Sequence, residues 1–110
     1  MNVIVKARHM EVTDAMRDYV EGKIAKLPRY YDSIQTIETV LDMEADQAAV
    51  EIVVTANRKA TFVAHHREPD MYAAIDQCLQ KISEQLRRHK DKVRDRQTQP
   101  LSQSSEPAGE

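Results

Sequence analysis

Three short runs between Thr36 and His66 alternate apolar and polar residues, and they limit the fold more than any other feature. From Thr36 to Glu44, Ile37, Thr39, Leu41 and Met43 alternate with Glu38, Val40, Asp42 and Glu44. A period of two marks a strand with one buried face, and here the outer face is acidic. Glu44-Ala45-Asp46-Gln47 supplies a turn, and Ala49 to Ala56 alternates again with Val50, Ile52 and Val54 inward. Asn57-Arg58 fits a tight hairpin, because Asn tolerates positive φ. Ala60 to His66 is the next strand, with Phe62 and Ala64 inward, and Pro69 ends it. Such a meander leaves an apolar face that other elements must cover.

Two helical patterns supply the cover. Thr13 is a good N-cap with Asp14 in the first turn, and Met16, Val20, Ile24 and Leu27 then recur at helical spacing up to Pro28. Gly22 sits inside this helix and costs about 1 kcal/mol relative to Ala. Asp70 caps a second helix with the stripe Met71, Ile75, Cys78, Leu79, Ile82, Leu86 and Val93, reaching about Arg96. At 1.5 Å per residue it is about 40 Å long, more than a small sheet can cover, so its C-terminal end should project. Asn2 to Ala7 reads as a first strand with Val3 and Val5 on one face.

The order is β-α-β-β-β-α. A right-handed crossover makes the first two strands parallel neighbours, and the rest is antiparallel. The fold class is therefore α+β: a four-stranded mixed sheet with two helices packed on one face, resembling a double-stranded-RNA-binding-domain layout. The other sheet face should stay wet. Residues 1–96 form the domain, and 97–110, rich in Gln, Ser, Pro and Glu, read as a disordered polar tail.

Composition narrows the function classes. The chain has 110 residues and a net charge of −2, but the charge is polarised. Residues 34–57 hold five acids and no Lys or Arg, whereas 81–96 hold seven basic and three acidic residues. A basic end with an acidic region facing away is the footprint of nucleic-acid docking, and solvated surface charge is the plain alternative. No apolar run approaches a membrane span, and the N-terminus lacks a signal-peptide layout, so a cytoplasmic location with no membrane partner is expected.

Few residues suggest chemistry. Cys78 lies on the apolar stripe and reads as a buried structural thiol. His65 and His66 are adjacent in a strand and point to opposite faces, so they do not chelate one metal; His66 should lie at the core edge and His65 in solvent. The glycines are Gly22 and Gly109, which leaves no phosphate-cradling loop. No nucleophile sits beside a base. The expectation is a protein that is not an enzyme, with no metal and no cofactor.

Lys81, Arg88 and Lys92 fall on one flank of the second helix, and Arg87, Lys90 and Arg94 on the other. The first helix and the chain after it offer Lys23, Lys26 and Arg29. A groove between the helices, basic on both sides, would suit phosphates. Tyr72 lies about a quarter turn off the stripe; its ring can pack while its hydroxyl reaches out, so packing is one role and RNA contact another.

At Asp70-Met71-Tyr72-Ala73-Ala74-Ile75-Asp76, followed by Lys81-Ile82, Gln85-Leu86 and His89-Lys90-Asp91-Lys92, the chain resembles the ribosome hibernation promoting factors and the related inhibitor protein Y. Met10-Glu11-Val12-Thr13, Val20, Lys23, Ala25-Lys26-Leu27 and Tyr31-Asp32 extend the resemblance over nearly all of residues 1–95. It implies a factor that binds the 30S subunit and the 70S ribosome and occupies the A and P sites and mRNA channel through 16S rRNA contacts. Such a factor inhibits translation in stationary phase or stress, and promotes or modulates 100S ribosome dimers. Carried over by position, the rRNA-binding residues are Lys23, Lys26, Arg29, Lys81, Arg87, Arg88 and Lys92. The resemblance implies a short member, monomeric off the ribosome. Ala7, Lys59-Ala60 and Glu68 stand where that family often has glycine, so its loop contacts are not carried over. A general double-stranded-RNA module and a protein adaptor using the open sheet face remain the alternative readings.

Overall fold

A computed structural model describes residues 2–27, 34–57 and 60–98, with side chains as far as His89. The elements are β1 (Asn2–Arg8), α1 (Asp14–Ile24), β2 (Ile34–Glu44), β3 (Gln47–Ala56), β4 (Thr61–Glu68) and α2 (Met71–Thr98). The strands lie in the order β1-β2-β3-β4, with β1 parallel to β2 and the other pairs antiparallel. This is the expected mixed sheet.

The periodicities reappear as burial. Ile37, Thr39 and Leu41 stand opposite Val54, Ile52 and Val50, and all six are buried. Val20 and Ile24 of α1 and Ala74, Ile75, Cys78, Ile82 and Leu86 of α2 close over the same sheet face as one apolar cluster. α2 packs on β3 and β4, and α1 lies beside it against β1. Each buried aliphatic side chain contributes about 1.5–3 kcal/mol relative to exposure. The Cys78 Sγ lies 3.5 and 3.3 Å from the Val50 and Ala64 carbonyl oxygens, so its single S–H can donate to either of two strands.

Both helix starts are capped as their sequences specify. Thr13 Oγ1 accepts from the Met16 N–H at 3.1 Å, and Asp70 Oδ2 accepts from the Ala73 N–H at 2.9 Å. His89 meets Phe62 edge-on at 5.2 Å, so α2 runs the length of β4 and then continues to Thr98. Gln97 and Thr98 are helical, and residues 99–110 of the expected tail lie outside the described residues.

Several local expectations are corrected. Met43 is 38% exposed rather than inward, because β1 ends at Arg8 opposite Asp42 and leaves Met43 with a strand neighbour on one side only. The outer sheet face is not uniformly wet: Val40 and Asp42 are buried there. Ion pairs cover this face, Lys6 with Glu38 at 2.7 Å and Arg67 with Glu44 at 2.6 Å. His9 adds a third contact, its Nδ1 2.9 Å from Asp42 Oδ1. Positive φ falls at His9 and Ala45 (57° and 56°), not at Asn57. At the β3–β4 connection the Ala56 N–H donates to the Ala60 carbonyl at 2.8 Å, and Asn57 Oδ1 accepts from Gln35 Nε2 at 2.8 Å. Arg58 lies outside the described residues.

Candidate nucleic-acid interface

The helix layer carries two basic flanks, and tertiary contacts decide what each can do. Tyr72, Asp76, Ser83 and Arg87 recur at helical spacing along the side of α2 that meets α1. Tyr19 of α1 packs edge-on against Tyr72, with ring centroids 5.0 Å apart, and its hydroxyl donates to Asp76 Oδ1 at 2.6 Å. Lys23, one turn on, lies 3.8 Å from the same Oδ1 and 5.4 Å from the centre of the Tyr19 ring. The hydrogen bond to the Asp76 carboxylate, with partial burial, raises the Tyr19 phenol above its ordinary pKa. This polar staple fixes the spacing of the two helices at the surface.

Lys26 and Arg87 are exposed on this side, and Lys23 is about half-exposed. Beyond Asp76 a depression of about 200 Å³ is lined by Gln80, Ser83, Glu84 and Arg87. Helical spacing puts Arg87 on the flank of α2 that carries Asp76, the partner of Lys23, and Lys26 is exposed just past the end of α1. Arg29 lies outside the described residues.

Lys81 and Arg88 lie on the opposite flank. Lys81 Nζ donates to the His65 carbonyl at 3.0 Å, and Gln85 Nε2 to the Val63 carbonyl at 2.9 Å. These two carbonyls belong to β4, an edge strand, so α2 side chains cap the edge that would otherwise invite another strand. Arg88 lies 3.7 Å from Glu84, one turn back. Lys92 is on the helix, but its side chain lies outside the described residues. Of the two basic flanks of α2, that of Arg87 is the one turned toward α1, and that of Lys81 and Arg88 lies across the ridge of α2 from it. Sequence reasoning missed Tyr19, Asp76 and Gln85. The Tyr72–Asp76 spacing at i,i+4 was the available signal for the staple; Gln85 gave none.

The histidines fall as expected. His65 is exposed, and His66, 24% exposed, lies 3.0 Å from Glu68. Among the described residues no group of three or more His, Cys, Asp or Glu is arranged to hold a metal ion. None of their helices is long and apolar enough to cross a membrane.

Comparison with known proteins decides the family. The family described as "Sigma 54 modulation protein / S30EA ribosomal protein" matches residues 3–94, nearly the whole fold. The chain belongs to this family. Among curated S30EA relatives, the ribosome hibernation promoting factor of Azotobacter vinelandii is 38% identical over 97 residues, covering 88% of this chain and 90% of that protein. The factor of the same name from Escherichia coli K12 is 33% identical over 94 residues, covering 86% and 98%. The crystal structure of the Thermus thermophilus Protein Y N-terminal domain superposes with a TM-score of 0.73 at 35% identity, covering 81% of this chain and 99% of that one. A ribosomal subunit interface protein from Coxiella burnetii shares the fold, with a TM-score of 0.78 at 22% identity, covering 83% and 99%.

Proposed function

We propose that this S30EA family member is a ribosome hibernation factor. It binds the 30S subunit within idle ribosomes, lies in the decoding region at the A and P sites and the mRNA channel, and inhibits translation by occupying them. Relatives bearing the name ribosome hibernation promoting factor, 33–38% identical over most of the chain, support the class of activity. The geometric observation that carries the reading is the set of exposed cations on the helix layer. Lys23, Lys26 and Arg87 are exposed or half-exposed there, whereas Glu38, Asp42 and Glu44 on the opposite sheet face already lie against Lys6, His9 and Arg67. Such a domain orients itself in a polyanionic channel with its helices toward the RNA.

In this reading Lys23, Lys26, Arg29 and Arg87 neutralise phosphates of 16S rRNA on the α1 side. Lys81, Arg88 and Lys92 meet the other wall of the channel. Specificity comes from the shape of folded rRNA rather than from a linear sequence. Inhibition is competitive occupancy with mRNA and tRNA, governed by mass action, and needs neither catalytic group nor cofactor. The protein acts as a cytoplasmic monomer until bound, and modulates the pairing of ribosomes into 100S dimers.

Sucrose-gradient sedimentation tests this. The protein should migrate with 30S and 70S particles, reduce in vitro translation, and alter the ratio of 70S to 100S peaks. Binding should weaken steeply with salt, by about 0.7–0.9 logarithmic units per phosphate contact per decade. Migration at the top of the gradient at low salt would overturn the reading. A naked RNA duplex binding as tightly as ribosomes would favour a general double-stranded-RNA module, and a complex that survives nuclease digestion would favour a protein adaptor.

A further inference from the structure

One element of the α1–α2 face does not fit phosphate binding. Asp76 places a carboxylate, 45% exposed, beside Lys23. A carboxylate there repels the RNA backbone, so neutralising phosphates gives no reason for it. Its two oxygens are used unequally. The Tyr19 hydroxyl and the Lys23 ammonium both approach Oδ1, and Oδ2 has no partner among the described residues. Beside it stand two partly exposed aromatic rings held edge-to-face, Tyr19 and Tyr72.

This combination has a recognised chemistry. A carboxylate accepts hydrogen bonds from the amino groups of nucleobases, and aromatic rings give unstacked bases a surface to lie on. Lys23 next to the pair suits the phosphate of the same nucleotide. The staple is what prepares the site, because the Tyr19 hydroxyl holds the half-exposed carboxylate through Oδ1 and leaves Oδ2 without a described hydrogen bond.

We propose that Tyr72, Asp76 and Tyr19 form a nucleobase site on the α1–α2 face that takes one unpaired, amino-bearing base of the bound RNA, guanine, cytosine or adenine but not uracil. Asp76 Oδ2 accepts from the amino group, Tyr72 offers the stacking surface, and Tyr19 positions the carboxylate. The inference rests on the ribosome-binding reading above and adds a base contact to a face otherwise assigned to phosphates.

Asp76→Asn separates this from plain surface charge by the sign of the effect. The asparagine oxygen can keep the Tyr19 hydrogen bond, which puts an amide N–H₂ where Oδ2 stood. As a mere surface charge, Asp76 repels RNA, and its neutralisation would leave binding to purified 30S subunits unchanged or tighter. As a base acceptor, D76N turns an accepting atom into a donor facing another donor, and the Kd for 30S should rise about ten-fold with an unchanged salt slope. Tyr72→Ala should weaken binding by a similar factor, as stacking is lost, while Tyr72→Phe should keep most of it. Thermal unfolding of each variant gives its folded fraction, so affinities are compared per folded molecule. Unchanged or tighter binding by D76N overturns the base site. If Lys23→Glu with Lys26→Glu weakens binding in that same series, the ribosome-binding reading stands without it. If neither the charge reversal nor D76N has an effect, the face itself is wrong and both inferences fall.

Discussion

Neutralising Lys23, Lys26 and Arg87 together, each to Gln, isolates the phosphate component of binding. Gln keeps much of the aliphatic stem, so packing changes little and charge is the main loss. The structural cost is small because none of the three is buried. Among the described residues the ion pair removed is Lys23 with Asp76, 3.8 Å apart with side chains 46% and 45% exposed. An exposed pair of that kind contributes about 0–1 kcal/mol. Each phosphate contact removed should lower the slope of log K against log salt by about 0.7–0.9, so three should lower it by about 2 to 3. Between 50 and 200 mM salt, the wild type should then lose about 20- to 40-fold more affinity than the variant. Titration of labelled protein with 30S subunits at several salt concentrations reads both slopes. The companion variant, Lys81→Gln with Arg88→Gln, should move the slope by only about one, since Lys81 already donates to the His65 carbonyl. A triple variant whose slope equals that of the wild type would refute the assignment of this face, whatever its affinity at one salt concentration.

Three further outcomes follow from single residues. The Thr39 hydroxyl is fully buried, and its Oγ1 has no hydrogen-bond partner among the described residues; Thr39→Val should raise stability by about 1–2 kcal/mol in urea unfolding, and destabilisation would show that the hydroxyl is satisfied in solution. Burial pushes the Cys78 thiol up to about 12, so iodoacetamide should label it only after denaturation, and rapid labelling of the native protein by mass spectrometry would contradict the packing. The hydrogen bond from His9 holds the Asp42 carboxyl below the ordinary carboxylate value. A lowered folded-state pKa gives stability that is present above the unfolded value of about 3.9 and is lost as pH falls through the folded one. The Tm advantage of wild type over His9→Ala should accordingly be largest above about pH 4 and shrink on further acidification; an advantage that grows in acid would reverse the assignment.

Much of the fold was legible because its determinants are local. A period of two from Ile37 to Leu41, a period of 3.6 from Met71 to Leu86, and caps at Thr13 and Asp70 are each written within a few residues. The parallel β1–β2 pair and the antiparallel meander followed from the crossover rule and the short connections. The misplaced residues are those whose environment another element sets. Met43 has the right parity to be inward, but it outlasts its neighbour β1. Asp42 has the parity of a solvent residue, but the chain after β1 turns through a left-handed residue and brings His9 against it.

The candidate site divides along the same line. A helical wheel separates Arg87 from Arg88, yet nothing in it says which flank meets α1. That choice is made by the partners of the intervening positions: Tyr19 and Lys23 engage Asp76 on one side, and the carbonyls of Val63 and His65 engage Gln85 and Lys81 on the other. A backbone carbonyl leaves no mark in composition or periodicity, so a lysine with a partner and one without look identical in sequence. What distinguishes them is how freely each charge can move onto a phosphate. Lys26 and Arg87 can give their charge to RNA without breaking a described contact. Lys81 must first release an edge carbonyl, and with it part of the cap that keeps β4 from pairing with another chain. The ranking of contributions to RNA binding is therefore set by what each cation is doing before RNA arrives, and it places the α1-facing flank first.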